Sequence, residues 1–273
     1  MPDTPDPVPG HDAYETLELT QNSEHVLQLT MNRPNVLNAM NTRMMTELAQ
    51  CFRQFYIDQA QWRVIILTGA GERAFCAGGD LKERDGMTDA TWRRQHAILE
   101  QMIHAVMQCP VPVISAVNGS CFGGGFEVAL ASDFILAADT ARFGFPEGKR
   151  GIMPGACGTQ NLARACGQRR AKEIMLTGET FTAEQVLEYG VVNHVFPGAE
   201  LMSAAAAIAQ KITTTAPVSA RQIKKAIDIA VQTDLGTGYA FEIEAYNRTV
   251  PTRDRLEGVA AFNEKRPPVF TGE

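Results

Sequence analysis

The sequence lacks the features that mark several large classes of protein. Its formal net charge is -6, so it has no excess of positive charge to attract nucleic acid or anionic lipid. No run approaches the roughly 20 apolar residues that a membrane helix needs. The first ten residues lack the cationic start and apolar run of a secretory signal. These absences predict a soluble, cytoplasmic protein that has neither nucleic acid nor a membrane as its partner.

Metal-ligand and nucleophile motifs are also missing. Six cysteines and five histidines are scattered without C-x-x-C or paired-histidine spacing, which disfavours a catalytic or structural metal and a disulfide framework. Residues 119–123 lack the order of a nucleophile elbow. Residues 69–74 formally match a dinucleotide-binding motif, but a prolonged loop follows where that fold needs a helix. Neither a metal nor a redox cofactor is expected.

What the sequence does contain is an alternation of strand and helix patterns. The apolar runs at 64–67, 113–117 and 134–138 are typical of strands covered on both faces. Helical periodicity follows Asn41, which can cap a helix, and returns at 91–108. This alternation predicts an α/β fold with parallel pairing.

Three regions are predicted along the chain. Residues 1–12 are rich in Pro and Asp and are expected to form a disordered tail. Residues 13–198 carry the strand and helix patterns of the core. Residues 199–273 contain helical patterns without a convincing strand, so they are expected to form a helical subdomain that covers a neighbouring subunit.

One candidate site lies at the predicted start of a short helix. The amide of Gly124 has no partner within that helix, and the positive end of the helix dipole favours an anion there. Glu127 follows three residues later, on the same side of the first turn. An ordinary first-turn acid would give the same pattern, so spacing alone leaves both interpretations open.

A second acid, Glu147, lies in a loop of aromatic and apolar residues. A carboxyl group in such surroundings can have a raised pKa and act as a general acid. A surface-loop glutamate is the alternative. Phe126 and Phe145 could narrow a neighbouring pocket, or they could simply pack in the core.

Several motifs in order resemble those of the crotonase, or enoyl-coenzyme A hydratase/isomerase, family. The similarity runs from about residue 13 to 270. The chain departs from common family residues at Gly79, Phe126 and Cys157, which bears on acyl-chain preference. The segments that carry the resemblance are residues 32–34, 37–39, 74–82, 118–129, 143–147, 151–155, 158–160 and 261–266.

This resemblance implies a spiral of ββα turns assembled into a homotrimer or homohexamer, with an acyl-coenzyme A thioester as substrate. It implies that the amides of Gly79 and Gly124 form an oxyanion hole and that Glu127 and Glu147 are catalytic. It further implies a set of residues that contact coenzyme A or substrate. These are Val36, Leu37, Ala77, Asp80, Leu81, Lys82, Phe262 and Lys265.

Family members that keep both glutamates resemble hydratases, which reversibly add water to a trans-2-enoyl thioester. The resemblance therefore favours an enoyl-coenzyme A hydratase of fatty acid or related acyl degradation, with coenzyme A as part of the substrate. Alternatives are a double-bond isomerase, or a specialised hydratase or dehydratase of carnitinyl-like or branched acyl groups. A noncatalytic acyl-coenzyme A or RNA-binding protein is the alternative from a different class.

Overall fold

The structure is a computed structural model that describes residues 14–59 and 61–273. The predicted tail at 1–12 lies outside the described residues. Ten strands are found in the described part. They are β1 (Leu17–Ser23), β2 (Val26–Met31), β3 (Val64–Gly69), β4 (Ala74–Cys76), β5 (Val113–Val117), β6 (Ser120–Phe122), β7 (Phe134–Ala138), β8 (Arg142–Gly144), β9 (Phe181–Thr182) and β10 (His194–Phe196).

Six of these strands form the larger sheet, in the order β1-β2-β3-β5-β7-β10. The first pair is antiparallel and all later neighbours are parallel. Strands β3 and β5 are buried along their whole length, as expected for strands covered on both faces. The predicted parallel α/β arrangement is confirmed.

A second sheet of four short strands, in the order β4-β6-β8-β9, positions the candidate site. Strands β4, β6 and β8 are parallel neighbours, so their carboxyl ends meet at one edge. The loop that contains Gly79 follows β4, the glycines before Glu127 follow β6, and Glu147 follows β8. This small sheet therefore brings three separate stretches of the sequence to one place.

Ten α-helices are found among the described residues. They are α1 (Thr42–Ile57), α2 (Leu81–Arg84), α3 (Asp89–Met107), α4 (Gly124–Ala131), α5 (Gly158–Thr177), α6 (Ala183–Glu188), α7 (Leu201–Thr213), α8 (Pro217–Ala230), α9 (Leu235–Asn247) and α10 (Arg253–Glu264). Within α5, Gly167 has a φ of 78°, which interrupts the helical backbone. Gly167 therefore divides α5 into two helical parts.

Local sequence signals set several helix starts. The side chain of Asn41 accepts the amide of Met44, and this bond caps α1. Thr182 caps α6, and Gln185 completes a reciprocal capping box. In the stretch after residue 71, where the sequence predicts one long loop, the structure instead contains β4 and α2. Such short elements have too few residues to establish a hydrophobic period.

The region at 199–273 is helical in the structure, as predicted. Helix α7 packs against the larger sheet, where it contacts strands from β2 to β10. Helix α8 is tied to the sheet by Lys224, whose Nζ lies 2.8 Å from a carboxylate oxygen of Asp133. Several large apolar side chains of α8, α9 and α10 stay exposed. They include Ile223, Ile227, Leu235, Tyr239, Tyr246 and Phe262.

None of the described helices is both long and apolar enough to cross a membrane. No group of three or more His, Cys, Asp and Glu side chains among residues 14–59 and 61–273 is arranged to hold a metal ion.

Candidate active site

A cavity of about 620 Å³ lies at the carboxyl edge of the smaller sheet. Its walls come from the loop after β4, from α3, from the start of α4, and from the segments that follow β8. Six of the residues that line it were predicted from the sequence as site residues. They are Ala77, Gly79, Leu81, Gly124, Glu127 and Glu147.

Two backbone amides in the cavity wall have no hydrogen-bond acceptor within the described part of the chain. Gly124 is the first residue of α4, and Gly79 forms an isolated parallel bridge with Met40. That bridge uses the carbonyl of Gly78 and the amide of Asp80, which leaves the Gly79 amide free. A Cβ added to Gly124 would lie 3.8 Å from the Gly79 nitrogen. Two neighbouring donors of this kind can stabilise an oxyanion.

Glu127 is buried beside these amides, with an exposed fraction of 2%. Its Oε1 accepts the amides of Ala156 at 2.8 Å and Gly158 at 3.0 Å. Burial raises the pKa of Glu127 above its usual range, while these two hydrogen bonds and the charge of Arg84 oppose the shift. The side chain is therefore held in place through one oxygen, and its other oxygen is left for a ligand.

Glu147 faces the same cavity from a short 3-10 turn at Pro146–Arg150. Burial, reinforced by the negative charge of Glu127, raises the pKa of Glu147 to about 7. Its Oε2 is buried and has no hydrogen-bond partner among the described residues. A Cβ on Gly123, whose φ is 54°, would lie 2.7 Å from Oε1, so only glycine leaves room for this carboxylate.

The two acids therefore have different environments within one cavity. Glu127 receives two amide donors that favour its charged form, whereas Glu147 is near the midpoint of its titration at neutral pH. Such a difference suits a pair in which one carboxylate takes a proton and the other gives one.

The cavity is also lined by Arg84, Trp92 and His96, which were not predicted from the sequence. For Trp92 and His96, nothing in the local pattern distinguishes these residues from others on α3. A signal existed only for Arg84, because the helix that Asp80 caps has to place its last residue near Gly79. Burial lowers the pKa of Arg84, while Glu83, Glu127 and Glu147 oppose that shift.

Other predicted contact residues lie outside the cavity lining. Asp80 caps α2 through the amides of Lys82 and Glu83 and forms an ion pair with Arg33 at 2.9 Å. Lys82 is exposed. Val36 ends a short 3-10 turn, and Leu37 follows it in a left-handed conformation. Their predicted contact with coenzyme A stays a prediction.

The two C-terminal contact residues lie on and just after α10. Phe262 is 83% exposed, and Lys265 ends the helix in a left-handed conformation. Neither residue lines the cavity of its own chain. Phe126 and Phe145 are fully buried and stack with ring centroids 4.9 Å apart, so they pack in the core beneath the cavity. Of the two interpretations of these phenylalanines, core packing is the correct one.

The fold and the cavity together define an α/β protein in which two unpaired amides and two carboxylates face a common ligand space. The family model described as enoyl-CoA hydratase/isomerase matches residues 21–273. The chain therefore belongs to the enoyl-CoA hydratase/isomerase family, which is a crotonase family of enzymes that act on acyl-coenzyme A.

Known relatives match along nearly the whole chain. The crystal structure of an enoyl-CoA hydratase from Bacillus anthracis is 42% identical, with a TM-score of 0.93, and the match covers 95% of this chain and 100% of that one. The mouse mitochondrial enoyl-CoA hydratase domain-containing protein 2 is 41% identical, over 93% of this chain and 87% of its own. The short-chain-enoyl-CoA hydratase of Clostridium acetobutylicum is 39% identical, over 88% and 92%.

Proposed function

We propose that the protein is an enoyl-coenzyme A hydratase that reversibly adds water to a trans-2-enoyl thioester. The observation that carries this proposal is the placement of two acids with different environments beside two unpaired amides. Relatives with hydratase names support it, and the family description includes isomerases as well. Degradation of fatty acids or related acyl groups is the proposed setting.

In this mechanism the amides of Gly79 and Gly124 hold the thioester oxygen as it gains negative charge. Loss of one such donor typically costs about 3 kcal/mol of transition-state stabilisation. The free oxygen of Glu127 orients a water molecule and takes its proton as the water oxygen bonds to C3. Glu147 gives its proton to C2, and the two roles reverse in dehydration.

The acid role of Glu147 follows from its pKa. With a pKa of about 7, a large fraction of this carboxyl group is protonated at neutral pH. Its buried Oε2 has no protein partner among the described residues, so substrate does not have to displace one. Glu127 takes the base role because the amides of Ala156 and Gly158 stabilise its charged form.

The test is a hydration assay that follows the absorbance of the conjugated enoyl thioester. We expect Glu127→Gln and Glu147→Gln each to lower kcat by about 10²- to 10⁴-fold. The exposed Glu72 is the matched control, and Glu72→Gln should leave kcat unchanged. Isomerisation without hydration would favour the isomerase alternative. Turnover that is unchanged in the double variant would contradict the assignment of both acids.

We further propose that the chain forms a homotrimer or a dimer of trimers. The exposed apolar side chains of α8, α9 and α10 support this proposal, because so many large apolar groups on one region are typical of an interface. The six unpaired cysteines support a reducing, cytoplasmic setting.

A further inference from the structure

Arg84 places an unpaired cation in the wall of the cavity. Its guanidinium carbon lies 3.0 Å from the position that a Cβ on Gly79 would occupy. Neither terminal nitrogen donates a hydrogen bond to any residue that the structure describes, and no carboxylate there forms an ion pair with it. The side chain is only partly exposed. The terminal nitrogens are therefore unused donors at the cavity wall, where an anionic ligand could accept from them.

The surrounding residues hold this guanidinium in one orientation. Its Nε donates to Oε1 of Gln95 at 2.8 Å, and its guanidinium carbon lies over the Trp92 ring, 4.7 Å from the ring centroid. Gln95 is buried and is itself fixed by Thr42 at 2.9 Å and Glu83 at 2.7 Å. Because Nε donates to Gln95, the two terminal nitrogens are the donors that remain for a ligand. Two such nitrogens suit a carboxylate, which can accept from both.

The position of Arg84 identifies the part of the substrate that it would meet. It lies beside Gly79, whose amide is one of the two proposed donors to the thioester oxygen. The acyl carbons bonded to that thioester are therefore nearby. A second arginine, Arg150, also lines the cavity, but it is exposed and donates to the carbonyl of Pro146.

The charges of the cavity also bear on which acyl group it would accept. Glu127 and, when it is ionised, Glu147 would repel an acyl group that carries its own carboxylate, unless a cation lies beside it. A purely apolar acyl group, in turn, would cover the terminal nitrogens of Arg84 without offering them an acceptor. Arg84 thus favours a charged acyl group and disfavours an apolar one of the same size.

We propose that Arg84 is a specificity residue that binds a carboxylate on the acyl group, so that the preferred substrate is the monothioester of an unsaturated dicarboxylic acid. This inference rests on the thioester site proposed above. It adds a recognition element for the acyl end and does not change the reaction.

The test compares two saturated coenzyme A thioesters that cannot be hydrated, glutaryl and pentanoyl, by isothermal titration calorimetry. Both acyl groups have five carbons, and only the first has a terminal carboxylate. We expect the wild-type protein to bind the glutaryl thioester at least about 10-fold more tightly. Equal affinities, or tighter binding of the pentanoyl thioester, would overturn the proposal without reference to any variant.

Variants then assign the preference to the guanidinium. Arg84→Gln should weaken glutaryl binding by about 10- to 100-fold and change pentanoyl binding by less than about 3-fold. Arg84→Lys should retain part of the preference, because it keeps the charge but loses the second donor nitrogen. Arg94, exposed on α3, provides the control Arg94→Gln, which should bind both ligands like the wild type. Equal weakening of both ligands would indicate contact with coenzyme A and overturn the assignment.

The outcome can be separated from that of the hydratase proposal. Binding of saturated thioesters does not require any chemical step, so a glutaryl preference remains measurable even if no hydration is found. Hydration of an apolar enoyl thioester without a glutaryl preference would overturn only the role of Arg84.

Discussion

The amide of Gly158 donates to Oε1 of Glu127 at 3.0 Å, and a Cβ on the same glycine would lie only 2.6 Å from that oxygen. The first residue of α5 therefore holds the carboxylate where no side chain fits between the two residues. A methyl group at this position would have to displace the side chain of Glu127.

A substitution at Gly158 can therefore displace the carboxylate of Glu127 while the residue itself is kept. We expect Gly158→Ala to lower kcat for hydration by about 10- to 100-fold, because small displacements of a reacting group are costly. The matched control is Gly198→Ala, where an added Cβ would meet its nearest atom at an ordinary 3.8 Å. Steady-state kinetics with circular dichroism as a folding check would test this. A fully active Gly158→Ala protein would argue against a catalytic role for Glu127.

The titration of Glu147 should be visible in protein stability. The pKa of this group is about 7 in the folded protein and has its usual value of 4.5 when unfolded. Between these values the folded state holds a proton that the unfolded state releases, so the free energy of unfolding falls as pH rises from 4.5 to about 7. After allowance for partial exposure, we expect a loss of about 1 to 2 kcal/mol relative to Glu147→Gln.

Denaturant unfolding at pH 5, 6, 7 and 8 of the wild type and Glu147→Gln would measure this difference. Other groups titrate in both proteins. The informative quantity is therefore how the difference between their free energies of unfolding changes with pH. Parallel curves would mean that the pKa of Glu147 is not raised.

Asp254 should stabilise the C-terminal segment through buried hydrogen bonds. It is 3% exposed and accepts the amides of Thr271 at 2.8 Å and Gly272 at 2.9 Å. We expect Asp254→Ala to lower the free energy of unfolding by about 1 to 3 kcal/mol, because both donors lose their acceptor. The neighbouring Arg253 forms only an exposed ion pair with Glu273, so Arg253→Ala should cost less than about 1 kcal/mol. Equal losses from thermal or denaturant unfolding would contradict this account.

The proposed assembly can be tested at the apolar surface of α8. Ile227 is 63% exposed, and a charge there would be buried without a partner in an oligomer interface. We expect Ile227→Asp to shift the mass measured by light scattering from trimer or hexamer towards monomer. Ile57, at the end of α1, is 77% exposed and provides the control Ile57→Asp. An unchanged mass for Ile227→Asp would place the interface elsewhere.

The sequence predicts the larger sheet much better than the smaller one. Strands β5 and β7 have the predicted bounds, because each is an apolar run ended by a polar or proline residue. Strands β4, β6 and β8 have three residues each, too few to show a period, and their pairing depends on contacts between distant parts of the chain. Their existence could not be derived from local patterns.

The same distinction applies to the site. Gly124 and Glu127 share one helical turn, so their proximity follows from spacing alone. Glu147 faces the same cavity because β6 pairs with β8. Local patterns do not predict this pairing, and only the family resemblance could indicate it in advance. Arg84 was missed because its environment is built by Gln95 and Trp92, which come from a different helix.

Helix α4 carries both an amide donor and one of the two acids. Because Gly124 and Glu127 are carried by the same rigid turn, any tilt of that helix moves the amide donor and the acid together, and their mutual geometry persists. Glu147 and Arg84 are carried by other segments and can shift relative to that turn. If the proposed mechanism holds, divergence in these segments can alter which acyl group is accepted, while the bond between carbonyl carbon and sulfur stays beside the same unit.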